Sequence, residues 1–335
     1  MAAPMSFFPR MIAGGTTFIV VVAGAFYIYY KTRYIFDDKT SDDEAGEKTV
    51  SKNEDLTDEP EHRKEDSRSD SSSIDPEAAD STTINLIKIL QCEQDDSQLC
   101  KVLTTLANQA AFTQGQNAVR LAGGLPVIVK QLEREGESVK TSAASCVANL
   151  SLNNRNQPIL LKSCSQTLLQ LSSDQNHSDD LRLACIQALV NLSVSGQCRD
   201  CFGPLALHSL FKLLGDGSTP LGQQALRVLV NLSADGTVSP ALLQYEVPES
   251  FQGLLQPHHT DESLLRTLSF LLNLKRESLT ATGTTISGAT PRDSFSNYFS
   301  QRADELTGVT KALMDHGNTD VRQQAGRLLV LLSAP

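Results

Sequence analysis

A four-residue phrase recurs along this chain at intervals of about forty residues. It centres on an asparagine followed by leucine, and its copies stand at Asn149, Asn191, Asn231 and Asn273. The asparagines are 42, 40 and 42 residues apart, and a degenerate copy at Asn108 lies 41 residues before the first. A fixed period in this range is typical of helical solenoids, in which each repeat buries its apolar face against its neighbours. We therefore predict a one-dimensional stack of helices, which is usually a binding scaffold.

The repeats align at more positions than the asparagine. Small side chains stand six residues before it, at Ala143, Cys185, Ala225 and Thr267. Aliphatic side chains stand two residues before it and one after it, at Val147, Leu189, Leu229 and Leu271 and at Leu150, Leu192, Leu232 and Leu274. These offsets follow the 3.6-residue period of a helix packed on one face. A sixth copy, centred on Leu331, lies 58 residues after Asn273, which predicts an insertion at residues 283–296.

Each unit is predicted to contain more than one helix. In the second unit, residues 117–122 form a short helix closed by two glycines, and Pro126 lies in the first turn of the next. Residues 137–151 form the third and longest helix. Three helices in about 42 residues, with the Gly-Leu-Pro turn and the repeated Asn-Leu-Ser, resemble the armadillo repeat. The resemblance implies an all-α, armadillo-like solenoid of about six repeats over residues 84–335.

The N-terminal segment is of a different kind. Residues 11–30 contain no charge and are flanked by Arg10 on one side and by Lys31 and Arg33 on the other. About 20 apolar residues suffice to span a bilayer, so we predict a transmembrane helix at about 11–30, in a membrane anchor of residues 1–36. The alternative is a cleavable signal peptide, since residues 23–25 are Ala-Gly-Ala, and the protein would then be lumenal or secreted.

The residues after the anchor favour a cytosolic location. Three Asn-Leu-Ser phrases read as glycosylation acceptors, but packed helices could not accommodate a glycan there. The cysteine count of seven is odd, and Cys146 and Cys185 fall on or beside the apolar stripe, where a thiol serves as a small apolar side chain. The basic residues downstream of the predicted span agree with the positive-inside rule.

The segment of residues 37–83 is predicted to be a disordered acidic linker. Residues 37–80 carry 17 acidic and 6 basic side chains, against 39 and 29 in the whole chain. Such a composition cannot bury enough apolar surface to offset chain entropy. The rest of the chain is nearly neutral, so a nucleic-acid partner is not expected. Ser67 and Ser72, each with an acid three residues on, are candidate phosphorylation sites, the alternative being a plain solvated linker.

No motif in the sequence predicts catalysis. Cys198 and Cys201 form a C-x-x-C without a second ligand pair, and His258-His259 lies beside a proline in a predicted turn. No P-loop or hydrolase or metalloprotease motif occurs. We therefore predict that the chain is not an enzyme and takes no cofactor, metal or small-molecule substrate.

The layout of the chain resembles one small group of armadillo proteins. An N-terminal apolar span, a charged spacer, residues 103–112, the Gly-Gly-Leu-Pro turn and residues 312–316 followed by Asp320-Val321 are similar to the membrane-anchored armadillo-repeat family, which has X-linked members. The resemblance implies a scaffold facing the cytosol on the mitochondrial outer membrane or the endoplasmic reticulum, acting with the transport machinery in mitochondrial distribution. It also implies an alternative role as a signalling interactor that restrains a growth-linked transcription factor.

The repeated asparagines are candidates for binding a partner. In nuclear-import receptors of the armadillo fold, an Asn at this position bonds the backbone of an extended peptide, and an amide supplies the donor and acceptor that this needs. The candidate peptide-binding residues are Asn149, Asn191, Asn231, Asn273, Gln187 and Arg227. The alternative is that each Asn ties its helix to the next repeat. Import receptors place Trp four residues before the Asn, and this chain contains no Trp, so basic localisation signals are not the expected ligand.

Overall fold

The computed structural model describes residues 81–280 and 291–333, except residues 197, 199 and 216 and the side chain of Gln252. The predicted anchor, Ser67, Ser72 and most of the acidic linker lie outside these ranges. No helix within them combines the length and apolar character that a membrane span needs.

The secondary structure of the described residues is almost entirely helical. The helices are α1 (Ser81–Cys92), α2 (Asp96–Gln109), α3 (Thr113–Leu121), α4 (Gly124–Lys130), α5 (Glu137–Leu150), α6 (Gln157–Ser173), α7 (Asp179–Leu192), α8 (Pro204–Leu214), α9 (Pro220–Ser233), α10 (Ser239–Leu243), α11 (Asp261–Thr280), α12 (Phe295–Gln301), α13 (Ala303–Ala312) and α14 (Thr319–Leu332). Short 3₁₀ turns occupy Gln131–Glu133, Glu249–Leu255 and Leu313–Asp315. In these ranges β-structure is limited to an isolated bridge between Glu246 and Ser294.

Six of these helices end their repeats and pack in sequence. These third helices are α2, α5, α7, α9, α11 and α14, and each contacts the next. The predicted stripe is confirmed, because the small residue six before the asparagine and the aliphatic residues around it are completely buried in the four central copies: Ala143, Val147, Leu150, Cys185, Leu189, Leu192, Ala225, Leu229, Leu232, Thr267, Leu271 and Leu274. The all-α solenoid predicted from the period is therefore present.

Polar caps set where several third helices begin. The side chains of Asp95, Ser178, Thr219 and Asn318 each accept a hydrogen bond from a backbone N–H in the first turn of the helix that follows. Such caps satisfy donors that a helix N-terminus leaves without an intrahelical partner.

The second and third repeats differ in the helices that come before the third helix of each repeat. Gly123 adopts a left-handed conformation with φ 70°, which ends α3 and allows α4 to start at an angle to it. The corresponding stretch of the third repeat has Cys164 and Ser165, and there α6 runs unbroken for 17 residues. The three-helix unit expected from the sequence is therefore fused into two helices where the glycines are missing.

The described residues add detail at two predicted boundaries. Residue 84, the predicted start of the solenoid, lies inside α1, and Thr83 before it is buried. The last residues of the predicted insertion at 283–296 include Ser294, which caps α12, and Phe295, which is fully buried. Residues 281–290 lie outside the described part of the chain. The end of the insertion is fixed to the loop after α10, where the Phe295 N–H donates to the carbonyl of Tyr245 at 3.0 Å.

A cluster of aromatic rings fills the core between the fourth and fifth repeats. Phe270 on α11 lies 5.5 Å from Phe251, 5.4 Å from Phe295 and 6.3 Å from Phe211, measured between ring centroids. Tyr245 stacks on Phe211 at 4.5 Å. Such edge-to-face and offset contacts are favourable beyond the area they bury. The cluster joins the late repeats where the insertion interrupts the period.

Candidate functional site

The repeated asparagines form a ladder of hydrogen bonds between neighbouring third helices. Asn149 Nδ2 donates to the carbonyl of Ala107 at 2.8 Å, Asn191 Nδ2 to that of Ala148 at 2.8 Å and Asn231 Nδ2 to that of Val190 at 3.2 Å. Each acceptor stands one residue before the corresponding asparagine of the preceding repeat. Asn231 Nδ2 also donates to Ser193 Oγ at 2.9 Å, and Asn273 Nδ2 makes the equivalent of this second bond, to Ser233 Oγ at 3.0 Å.

Burial divides these asparagines into two groups. Asn149 and Asn191 are 1 % and 5 % exposed, and the amide nitrogen of each is bonded to the preceding repeat. We interpret both as structural links, and the peptide-binding role predicted for them is untested. Asn231 and Asn273 are half-buried, with one face towards solvent. Their binding role stays a prediction.

A second ladder, which the sequence analysis did not identify, runs beside the first. Gln116 Nε2 donates to the carbonyls of Ala110, at 2.9 Å, and Asn149, at 3.2 Å. Gln157 Nε2 donates in the same way to Ser151, at 3.0 Å, and Asn191, at 3.2 Å. The last carbonyls of a helix have no intrahelical donor, so each buried glutamine satisfies the ends of two successive third helices.

The second ladder weakens towards the C-terminus. The residue 41 positions after Gln157 is Cys198, whose thiol donates to the carbonyl of Ser193 at 3.4 Å. A further 41 positions on stands Ser239, whose buried hydroxyl has no hydrogen-bond partner among the described residues. The four positions of this ladder are each 41 residues apart, which is a regularity present in the sequence. Because the residue types at these positions differ, the ladder can be recognised only from its contacts.

Replacing Gln157 by Ala tests this ladder. Two buried carbonyls would lose their donor, so the free energy of unfolding should fall by about 1–3 kcal/mol. Urea denaturation followed by circular dichroism measures the change. Gln323, exposed on α14, provides the control, and its replacement by Ala should alter stability by less than about 0.5 kcal/mol. Equal effects at the two positions would mean that water can replace the Gln157 amide as the donor to these two carbonyls.

The remaining candidates share one face of the third helices. Gln187 on α7 and Arg227 on α9 each stand four residues before their asparagine, so each lies on the same helix face as that asparagine. Both are half-buried. We name the half-buried set Gln187, Arg227, Asn231 and Asn273 the third-helix face. The structure thus brings four of the six predicted residues together on neighbouring helices.

Two half-buried arginines lie on adjacent third helices, Arg227 of the third-helix face on α9 and Arg266 on α11. Arg227 Nη1 donates to the amide oxygen of Gln224 at 3.0 Å, and Arg266 Nη1 donates to that of Gln223 at 3.2 Å. Arg266 also pairs with Glu262, one turn earlier on α11. Burial lowers the pKa of Arg227, and burial lowers the pKa of Arg266 to about 10, where the nearby positive charge of Arg227 adds to the effect and Glu262 opposes it. Both guanidinium groups stay charged at neutral pH.

The cysteines and histidines of the described chain form no reactive constellation. Burial raises the pKa of Cys146, Cys164 and Cys185 to about 12, so these thiols remain protonated and unreactive. Cys198 of the C-x-x-C is buried against helix-end carbonyls, and His258 and His259 lie in the turn before α11. Within the described ranges, no three His, Cys, Asp or Glu side chains are grouped to hold a metal ion.

Comparison with known proteins agrees with the repeat geometry. The sequence profile of the family described as Armadillo-like matches residues 81–287, more than half of the chain. The chain belongs to the Armadillo-like family. Proteins of this fold serve generally as binding scaffolds, and the armadillo third helices correspond here to α2, α5, α7, α9, α11 and α14.

Solved structures of designed armadillo repeat proteins are similar in fold. One matches with a TM-score of 0.58 and 18 % identity over 75 % of this chain and 100 % of its own. A second, in complex with the peptide (KR)4, matches with a TM-score of 0.58 and 19 % identity over 76 % and 100 %. A third, designed for modular peptide recognition, matches with a TM-score of 0.57 and 19 % identity over 74 % and 99 %. At these identities the likeness concerns the fold.

Proposed function

We propose that this chain is a non-catalytic scaffold that holds an extended segment of a partner protein along its third-helix face. The observation that carries the proposal is the alignment of Gln187, Arg227, Asn231 and Asn273 on successive helices, each half-buried and able to present polar atoms outward. An extended backbone offers donors and acceptors at regular intervals, which a row of amides can match. The designed relative that carries a bound peptide has the same fold.

We further propose that the scaffold works at a membrane, facing the cytosol. The support is the uncharged stretch of residues 11–30 with basic residues downstream. The resemblance to the membrane-anchored armadillo family favours the mitochondrial outer membrane, with the endoplasmic reticulum as the alternative, and an adaptor role in mitochondrial distribution and dynamics. Its competitor is the signalling interactor, which would need no membrane.

Proximity labelling tests both parts of the proposal. A labelling enzyme fused to the full chain should mark a set of cytosolic proteins that an anchor-only fusion of residues 1–36 does not mark. Replacing Gln187 and Asn231 by Ala should remove members of that set, because each lost hydrogen bond is worth about 0.5–1.5 kcal/mol. Replacing the exposed Gln323 by Ala should leave the set intact.

The location is tested by deleting residues 1–36. The shortened chain should be recovered in the soluble cytosolic fraction, and an organelle adaptor should lose its effect on mitochondrial distribution while a soluble interactor keeps its activity. Retention of the shortened chain on membranes in high salt would refute the single-anchor proposal. Protection of the full chain from protease added to intact organelles would place the scaffold in the lumen instead.

A further inference from the structure

Charge is arranged unevenly along the third helices. Acidic side chains stand in the first three residues of these helices: Asp96, Glu137, Asp179, Asp180, Asp261, Glu262 and Asp320. Beyond those positions nine basic side chains follow, Lys101, Lys140, Arg182, Arg227, Arg266, Lys275, Arg276, Arg322 and Arg327, with Glu277 the single acid. Acids at helix N-termini suit the helix dipole. The bodies of the helices are therefore basic although the repeat domain as a whole is nearly neutral.

The basic residues differ in what they contact. Arg182 Nε donates to the carbonyl of Ser172 at 3.1 Å, and Arg322 Nη1 donates to the carbonyl of Gly317 at 3.0 Å. Arg182 thereby fastens α7 to the end of α6, and Arg322 fastens α14 to the loop before it. Arg227 and Arg266 instead point at side-chain amides, and within the described residues Arg227 lies within ion-pair distance of no carboxylate.

Burial makes this arrangement costly without a partner. A guanidinium taken out of water needs an opposite charge or a full set of acceptors, and a neutral amide supplies only one acceptor oxygen. The one carboxylate near the pair, Glu262, has a side chain that is 71 % exposed, whereas that of Arg266 is 18 % exposed. The pair therefore carries two positive charges against one negative charge that is largely exposed to solvent.

We propose that the arginine pair of Arg227 and Arg266 recognises an acidic, extended segment of a partner protein. This inference rests on the proposed function and specifies its ligand. One carboxylate of the segment pairs with Arg227 and a second with Arg266, in place of Glu262. Guanidinium groups bind carboxylates in a two-point, planar geometry, which makes arginine suited to this recognition.

The spacing of the two arginines fits an extended chain. They stand on adjacent third helices, and packed helices lie about 8–10 Å apart. Alternate residues of an extended peptide are about 7 Å apart and point to the same side. Acidic residues at every second position of such a segment can therefore reach both arginines.

Fluorescence anisotropy with the full chain in mild detergent tests the proposal. The probe is a short labelled peptide of alternating Glu and Ser, and the matched peptides have Gln or Lys in place of Glu. The Glu peptide should bind at least tenfold more tightly than the Gln peptide, the Lys peptide should not bind, and the affinity should fall as salt is raised. Arg227→Gln and Arg266→Gln should each weaken binding of the Glu peptide about tenfold, and Arg292→Gln, at an exposed position, should leave it unchanged.

Each other outcome overturns the inference in a defined way. Equal binding of the Glu and Gln peptides would remove the acidic preference and leave the peptide-binding scaffold standing. Tighter binding of the Lys peptide would reverse the charge assignment. Arginine-dependent binding of a single-stranded oligonucleotide or of phosphatidylserine vesicles, without binding of the Glu peptide, would assign the pair to a different anion. Binding of none of these probes would also overturn it, while partner capture that still depends on Gln187 and Asn231 would preserve the proposed function.

The variants can be checked for folding independently. Arg227 makes no ion pair among the described residues, so Arg227→Gln should retain the melting temperature of the wild type. Arg227→Lys keeps the charge without the planar fork, and it should bind the Glu peptide with an intermediate affinity.

Discussion

Phe270→Ala is expected to lower the free energy of unfolding by about 3–5 kcal/mol. Its ring is completely buried and touches Phe211, Phe251 and Phe295, which come from the fourth repeat, the 3₁₀ turn before α11 and the start of α12. Truncation leaves a cavity that these rings cannot fill without losing their own contacts. Chemical denaturation measures the loss of unfolding free energy. The dependence of this free energy on denaturant concentration should equal that of the wild type, which checks that unfolding is still two-state.

Phe112→Ala is the matched control for this experiment. The same atoms are removed, but the Phe112 side chain is 74 % exposed at the N-cap of α3. Its replacement should cost less than about 0.5 kcal/mol. Similar losses at Phe112 and Phe270 would mean that the aromatic cluster is not the core of the late repeats.

Leu229→Ala is expected to cost about 2–5 kcal/mol. Leu229 lies on α9 with third helices on both sides, α7 and α11, and none of its surface is exposed. Because stripe residues contact two repeats at once, the cavity would weaken the packing of both joints. The urea concentration at the midpoint of unfolding should fall, while the circular dichroism signal of the folded state stays unchanged.

The control for Leu229 is Leu205→Ala on α8. The Leu205 side chain is 85 % exposed, so the same truncation removes little buried surface and should alter stability by less than about 0.5 kcal/mol. A loss at Leu229 as small as that at Leu205 would place the stripe on the wrong face of the third helices.

The third helices could be predicted because their sequence pattern recurs in several copies along the chain. Each copy of the phrase fixes the same register, so errors at one copy are corrected by the others, and the burial of Ala225, Leu229 and Leu232 follows from their offsets alone. The predicted third helix of residues 137–151 matches α5, which ends one residue earlier with Ser151 at its C-cap. The presence of a helix and the identity of its buried face depend on nearby residues, so both can be predicted from the spacing of apolar residues.

The role of the asparagines could not be derived in this way. An asparagine that bonds a partner and an asparagine that bonds the preceding repeat occupy the same position of the repeat, so the sequence does not distinguish the two roles. Only the structure shows that Asn149 and Asn191 are buried whereas Asn231 and Asn273 are half-buried. The glutamine ladder was missed for a related reason. Its members at 116, 157, 198 and 239 are Gln, Gln, Cys and Ser, so a shared position is not accompanied by a shared residue type.

The decline of that ladder has a mechanical consequence. In a stacked array each joint bends independently of the others, since a repeat contacts only its neighbours. The early joints carry both the Asn149 or Asn191 link and a bridging glutamine, whereas the joint after α9 has the Ser239 hydroxyl where a long amide would reach across. The joint between α9 and α11 is held instead by the bond from Asn273 to Ser233 Oγ, by the bond from Arg266 to Gln223 and by the packing of Phe270 against Phe211. Its resistance to bending therefore depends on side-chain packing and surface-facing polar contacts, where the early joints depend on buried amides.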